Sequence, residues 1–74
     1  MQDKLEKLDN QILEFMKKDP DWAYSIPEIM KGIHLTNREK VIESLTRLKE
    51  RKFIKLRIKG IRTKVYRLLK RAQS

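Results

Sequence analysis

The chain has 74 residues, a formal net charge of +9 and no cysteine, so it can form one small domain without disulfides or thiolate metal sites. Its apolar runs are too short to cross a membrane and no charged-then-apolar leader opens it, so we expect an intracellular, cytoplasmic protein without membrane contact. The sequence contains no paired catalytic carboxylates, Ser/His/Asp set, phosphate-binding loop, cofactor motif or small-molecule signature, which argues against an enzyme.

The charge is distributed unevenly along the chain. Residues 1–35 carry five basic and seven acidic side chains, whereas residues 36–74 carry fourteen basic and three acidic ones. After Glu50 there are ten lysines and arginines and no acidic residue. A lysine-rich surface of a heat-adapted protein would carry matching acids. The asymmetry therefore favours a polyanionic partner for the second half.

The first predicted helix covers about residues 3–18. Its apolar residues recur at helical spacing, with Asp3 as a candidate cap and Pro20 just beyond its end: Leu5, Leu8, Ile12, Leu13, Phe15 and Met16. This stripe has two possible uses, since it can fill the core of its own protomer or pack against a second copy.

A short aromatic stretch and a second helix follow. Residues 22–24 predict a brief strand that pairs with a later hairpin, with Trp22 packed in the core or at the sheet edge. Ser25 and Glu28 form a capping box, which predicts a helix over about residues 26–33. The few residues after that helix form a tight turn into the next one.

The third predicted helix covers about residues 37–51. Thr36 and Glu39 have the spacing of a capping box, and Val41, Leu45 and Leu48 form a narrow buried stripe. The remaining surface divides into two strips at helical spacing. One strip is basic and the other is acidic: Lys40, Ser44, Arg47 and Arg51 in the first, Glu39, Glu43 and Glu50 in the second.

After Lys52 the apolar period changes from that of a helix to that of a strand. Apolar and basic residues alternate over residues 53–58, and a second strand is predicted over residues 64–69. Gly60 lies in the basic stretch between them and can take a positive φ. The pattern predicts a β-hairpin over residues 53–69 with a basic tip.

This order of elements resembles a winged helix-turn-helix domain over residues 8–69. The most similar stretch is 41–54, VIESLTRLKERKFI, which resembles the recognition helix and first wing strand of small bacterial and archaeal transcription regulators. The resemblance implies an α+β fold in one domain over residues 1–74. In such a fold a three-helix bundle is followed by a C-terminal β-hairpin wing, with a short strand between the first two helices.

The resemblance implies double-stranded DNA as the partner. The recognition helix is then expected in the major groove and the basic wing on phosphates or in the minor groove. The expected contacts are Asn37, Arg38, Lys40, Ser44 and Arg47 on the helix, and Lys59, Arg62 and Lys64 on the wing. The acidic strip keeps an alternative open, in which the domain contacts protein or RNA within a larger assembly.

A homodimer is expected if the domain reads a specific site. One recognition helix contacts only a few base pairs, and two-fold dimers place two helices in successive major grooves. The basic second half is unsuited to pair with itself, so the expected interface is the first helix, through Leu5, Leu8, Ile12 and Leu13.

Overall fold

A computed structural model describes residues 5–70 as three helices and a three-stranded sheet. The helices and strands, numbered in chain order, are α1 (Lys7–Met16), β1 (Tyr24–Ser25), α2 (Ile26–Gly32), α3 (Arg38–Glu50), β2 (Ile54–Lys59) and β3 (Thr63–Leu68). The predicted α+β architecture is confirmed, including the hairpin after the third helix. Asp3, the expected cap of the first helix, lies outside the described residues.

The sheet is antiparallel and has β3 at its centre, in the order β1-β3-β2. β2 and β3 form the hairpin, in register from Ile54↔Leu68 to Lys59↔Thr63. The two residues of β1 pair with β3 through Tyr24↔Tyr66, so the predicted strand after the first helix does join the hairpin. Trp22 lies outside this strand and is half exposed, so of its two predicted positions the core is excluded and the sheet edge remains.

The core lies between the three helices and the inner face of the hairpin. The apolar stripes predicted from helical and strand periodicity meet there. Each element has one apolar face, and packing these faces together removes them from water. The fully or almost fully buried side chains include Ile12, Met16, Ile29, Val41, Leu45, Leu48 and Ile54.

Helix α1 is shorter than the predicted 3–18 and begins with an unforeseen cap. Glu6 is its N-cap residue, and Asp9 closes a capping box by accepting a hydrogen bond from the Glu6 amide at 3.2 Å. By contrast, the predicted capping box of α2 is confirmed, with Glu28 accepting from the Ser25 amide at 2.9 Å.

The cap of α3 differs from the prediction. Asn37, and not Thr36, is its N-cap residue, and the Asn37 side-chain oxygen accepts a hydrogen bond from the Lys40 amide at 3.2 Å. Both residues are good capping types. The helix therefore begins at Arg38, one residue later than expected.

The C-terminus of α3 ends in a left-handed residue that is not glycine. Lys52 has φ +64°. The Phe53 amide donates to the Leu48 carbonyl at 3.0 Å, and the Lys52 amide to the Lys49 carbonyl at 3.0 Å. These are the two hydrogen bonds of a Schellman motif, in which glycine is the preferred residue at the left-handed position.

Replacing Lys52 by glycine is expected to stabilise the fold by about 1 kcal/mol, because a side chain in the left-handed region costs roughly that much. The melting temperature should rise by about 4–8 °C for a domain of this size. Thermal unfolding followed by circular dichroism measures it. Glu43→Gly, at an exposed position in the middle of the same helix, is the control and should lower the melting temperature. A lower melting temperature for Lys52→Gly would contradict the left-handed cap.

Candidate nucleic-acid interface

A groove separates the N-terminal part of α3 from the hairpin. Its rim is basic, with Arg38 on the helix side and Arg62 and Lys64 on the hairpin side. Its floor is largely apolar and continues to the start of α2: Ser25, Ile26, Pro27, Ile42, Thr63 and Tyr66. Fold topology thus brings together cations that are more than twenty residues apart in the chain.

Arg38 of α3 and Tyr66 of β3 line the same groove. Burial raises the pKa of the Tyr66 phenol, and the positive charge of Arg38 opposes that rise. Tyr66 is almost fully buried in β3, whereas Arg38 is exposed. The guanidinium of Arg38 therefore lies at the edge of the groove, available to a ligand.

Cations also cover the outer face of the hairpin. Lys55 and Arg67 face each other across β2 and β3, and directly opposed like charges destabilise a sheet. Asp21 lies 3.7 Å from Arg67 in an exposed ion pair, which offsets little of that repulsion. Binding of a polyanion would relieve it.

Five of the predicted site residues are exposed, as expected: Arg38, Lys40, Lys59, Arg62 and Lys64. Lys40 follows Arg38 on the first turns of α3, and Lys59, Arg62 and Lys64 surround the tip of the hairpin. Asn37 is also exposed, but its side-chain oxygen is occupied by the cap of α3.

The prediction that Ser44 contacts a ligand is wrong. Ser44 is fully buried, and its hydroxyl donates a hydrogen bond to Asp9 Oδ1 of α1. A serine can occupy a core position when its hydroxyl has a partner there. Ser44 was assigned to the basic strip only because it has helical spacing with Lys40 and Arg47.

Arg47 joins the same buried carboxylate from the surface. Its Nη2 lies 2.8 Å from Asp9 Oδ1 and its Nε lies 3.2 Å from Asp9 Oδ2, the two-pronged contact that guanidinium makes with carboxylate. Glu6 is 3.8 Å away in a looser ion pair. Arg47 therefore holds α3 against α1, and only part of its side chain is exposed.

Asp9 owes its ionised state to these partners. Burial raises the pKa of its carboxyl, but hydrogen bonds from Arg47, Ser44 and the Glu6 amide, together with the charge of Arg47, lower it more. The pKa therefore lies below the ordinary value of 3.8. The same hydrogen bond raises the pKa of Arg47, so the pair is charged at neutral pH.

Sequence reasoning overlooked Asp9, although a signal was present. Asp9 is four residues after Leu5 and three before Ile12, so it lies within the apolar stripe of α1. A charged residue at such a position needs a buried partner. The sequence did not indicate which basic residue of another helix supplies it.

The most exposed ridge of α3 is acidic. Glu39, Glu43 and Glu50 recur on the side opposite the buried stripe, together with Thr46, whose hydroxyl donates to the Ile42 carbonyl at 2.9 Å. Arg38 and Lys40 lie on the two flanks of this ridge. The helix therefore presents carboxylates at its centre and cations at its sides.

Comparison with known proteins identifies the fold. No protein-family model matches the chain, and no curated protein is significantly similar to it in sequence. A solved structure described as MepR, a transcription regulator of the Staphylococcus aureus multidrug efflux pump MepA, superimposes with a TM-score of 0.82 at 17% identity. The alignment covers 95% of this chain and 51% of that one, so the chain spans about half the length of MepR.

The fold is a winged helix-turn-helix. In this fold α3 has the position that is called the recognition helix, and the hairpin of β2 and β3 has the position that is called the wing. At 17% identity the likeness to MepR establishes the fold alone. The groove described above lies between recognition helix and wing.

Residues 5–70 contain neither a cluster of metal-ligating side chains nor a membrane-spanning helix. Within that range no group of three or more histidine, cysteine or acidic side chains is placed to hold a metal ion. None of the described helices is long and apolar enough to cross a membrane.

Proposed function

We propose that this winged helix binds double-stranded DNA at specific sequences and acts as a transcriptional regulator, located with the nucleoid. The observation that carries this proposal is the basic-rimmed groove, in which Arg38 of the recognition helix meets Arg62 and Lys64 of the wing. A single polyanion lying in that groove would contact both elements at once. The fold shared with MepR, which its description calls a transcription regulator, supports the regulatory role.

The recognition helix is proposed to enter the major groove by its first turns. A helix about 10–12 Å in diameter fits a groove roughly 12 Å wide. Arg38 can bridge O6 and N7 of guanine, and Lys40 can neutralise a phosphate on the other flank. Asn37 can pair with adenine only if its side chain gives up the cap of α3.

The wing is proposed to contact phosphates or the adjacent minor groove. Lys59, Arg62 and Lys64 are exposed around its tip, and no acidic residue follows Glu50 in the sequence. Phosphate contacts carry no sequence information, but they fix the position of the domain on the duplex. The recognition helix would then supply the sequence specificity.

The test is the salt dependence of binding to random and site-containing duplex DNA. At least about four phosphate contacts are expected, each adding about −0.9 to the slope of log K against log salt. Affinity should then fall about 100-fold between 50 and 200 mM salt. Arg62→Ala and Lys64→Ala should weaken binding to all sequences alike and flatten the slope, whereas Arg38→Ala should also reduce discrimination between sites.

Lys31→Ala is the matched control, because it removes an exposed positive charge from α2, outside the groove. It should leave the slope almost unchanged. A flat salt dependence of the unaltered protein would contradict the DNA-binding proposal. Wing variants that bind as tightly as the unaltered protein would contradict the proposed role of the wing.

The acidic ridge of α3 favours a second candidate, contact with a basic protein within a larger assembly. Glu39 and Glu43 would repel the phosphates on either side of a major groove, although a carboxylate can accept from cytosine N4. A basic partner protein would meet no such repulsion. Weak duplex binding with a flat salt slope would favour this second candidate.

Dimerisation through α1 is proposed, but through a smaller part of the helix surface than the sequence indicated. Ile12 and Leu13 are buried in the core of their own protomer, and Leu5 and Leu8 are partly buried against it. The remaining surface is the exposed flank of α1, beside the half-buried Phe15. Its lining residues include three lysines and one glutamate, so two copies meet less repulsion there than on the basic second half and leave the basic groove uncovered.

Sedimentation equilibrium at micromolar concentration, with and without duplex DNA, tests the dimer. We expect a dimer that Gln11→Arg dissociates without unfolding, because Gln11 is exposed on this flank and the added positive charge would meet the lysines of the second copy. Thr46→Arg, at an exposed position of α3 outside this flank, should leave the dimer intact and controls for the added charge. A protein that is monomeric both free and on DNA would rule out the interface.

A further inference from the structure

The wing carries an apolar row that leaves the core and ends in solvent. Ile54 is buried, Ile58 is 57% exposed and Ile61, at the tip, is 92% exposed. Ile54 and Ile58 lie on the same face of β2, since alternate residues of a strand share a face. This row thus connects the core to the outermost point of the hairpin.

Neither the turn nor the core explains the isoleucine at position 61. Gly60, with φ +67°, already supplies the left-handed residue of the turn. Turn tips favour glycine, asparagine, aspartate and serine, which are compatible with water. Single surface isoleucines are common, but this one lies in the turn of the most basic element of the chain, three residues after the exposed Ile58.

The cations around Ile61 indicate the charge of its partner. Lys59 and Arg62 lie on either side of it in the chain, and Lys64 faces Ile58 across the hairpin. A partner for this tip must present negative charges around a narrow apolar surface. The minor groove of duplex DNA, about 6 Å wide and lined by sugars between two rows of phosphates, has these properties.

A lipid surface also combines negative charge with an apolar interior, but its shape fits less well. The tip is one side of the groove whose other side is Arg38 of the recognition helix. A rod-shaped partner can fill that concave groove and touch the tip at the same time. A flat bilayer can touch the tip but cannot follow the concave surface toward α3.

We infer that Ile61 is an apolar wedge, which the wing inserts between base pairs from the minor groove, where Lys59 and Arg62 bind the flanking phosphates. This inference rests on the proposed DNA binding and adds a contact that is not electrostatic. Inserted apolar side chains partly unstack a base step, and flexible steps such as TA allow this at low cost. The wedge therefore gives the wing a preference for deformable sequence.

The experiment compares Ile61→Asn with Ile61→Leu in duplex titrations over a range of salt. Ile61→Asn should weaken binding about tenfold, or about 1.4 kcal/mol, with an unchanged salt slope. Ile61→Leu keeps an apolar tip and should bind within about twofold of the unaltered protein. Arg62→Ala is the contrasting variant, because it should flatten the slope. Position 61 is exposed, so all variants are expected to keep the melting temperature.

A fluorescent base analogue gives a direct readout of the wedge. In duplexes that carry 2-aminopurine at TA steps, the unaltered protein and Ile61→Leu should raise fluorescence as the stack opens, and Ile61→Asn should not. Equal affinity and equal fluorescence for all three proteins would overturn the wedge while leaving the DNA-binding proposal intact. Absence of duplex binding by the unaltered protein would refute that proposal itself.

Binding to anionic lipid vesicles distinguishes the DNA contact from a membrane contact. Vesicles of phosphatidylserine and phosphatidylcholine should bind the unaltered protein and Ile61→Asn equally, through charge alone. If Ile61→Asn loses vesicle binding and keeps full duplex affinity, the tip is a membrane contact and the wedge is overturned.

Discussion

Replacing Arg47 by alanine is expected to destabilise the fold by about 3 kcal/mol at neutral pH, the lower end of the range for removing one partner of a buried ion pair. Asp9 is fully buried, and without Arg47 its carboxylate keeps only the Ser44 hydroxyl and the Glu6 amide as hydrogen-bond donors. The lower end of the range applies because the Arg47 side chain is 30% exposed.

The pH dependence of this loss has a definite sign. In the unaltered protein the pKa of Asp9 lies below 3.8. Its contribution to stability is therefore present above pH 4 and is lost as the pH falls through the lowered pKa. Without Arg47 we expect burial to outweigh the remaining hydrogen bonds from Ser44 and the Glu6 amide and to raise the pKa of Asp9 above its unfolded value. The variant then gains stability relative to the unaltered protein as the pH falls from 7 to 4.

Urea unfolding between pH 4 and pH 7 measures both the loss and its sign. Lys40→Ala is the matched control, because it removes a positive charge from an exposed position of the same helix. It should change the free energy of unfolding by less than about 0.5 kcal/mol. Asp9→Asn combined with Arg47→Ala should remove the pH dependence that Arg47→Ala introduces. A pH-independent loss in Arg47→Ala would show that Asp9 is not the group left unpaired.

Replacing Leu45 by alanine is expected to cost about 2–5 kcal/mol, because the side chain is fully buried and its removal leaves a cavity. A domain of 74 residues has a total stability of roughly 4–11 kcal/mol. The variant should therefore melt at least about 8 °C lower, or be largely unfolded at 37 °C. Thermal unfolding by circular dichroism measures the change.

Ile42→Ala is the control for Leu45→Ala. Ile42 is on the same helix, three residues earlier, and its side chain reaches the surface at the floor of the groove. Its loss removes exposed apolar area and replaces a β-branched residue by the best helix former, so stability should change little. If Leu45→Ala and Ile42→Ala melt at the same temperature, the buried face of α3 is not the one described.

Helical periodicity does not predict which residues at the margins of the buried face of α3 are buried. Ile42 and Ser44 lie on opposite margins of the stripe formed by Val41, Leu45 and Leu48. Hydrophobicity favours burial of Ile42 and exposure of Ser44, yet the structure has the reverse arrangement. Ser44 is buried because Asp9 of α1 accepts its hydrogen bond.

The sequence by itself determined the elements and their order. Apolar spacing indicated three helices and a hairpin, and the spacing of Ser25 and Glu28 located the start of α2. Glycine at position 60 and the alternating residues on either side of it indicated the turn and the hairpin. These features depend on hydrogen bonds and side-chain periods that extend over a few residues, which is why they can be read from local sequence.

Only the tertiary structure decided which charged residues remain available to a partner. Arg47 and Arg38 have similar sequence surroundings on one helix, but Arg47 is engaged by Asp9 and Arg38 lies on the rim of the groove. That difference depends on how α1 and the hairpin pack against α3, through residues more than twenty positions away. A buried carboxylate selects its cation by distance in space, and helical spacing within α3 carries no information about that distance.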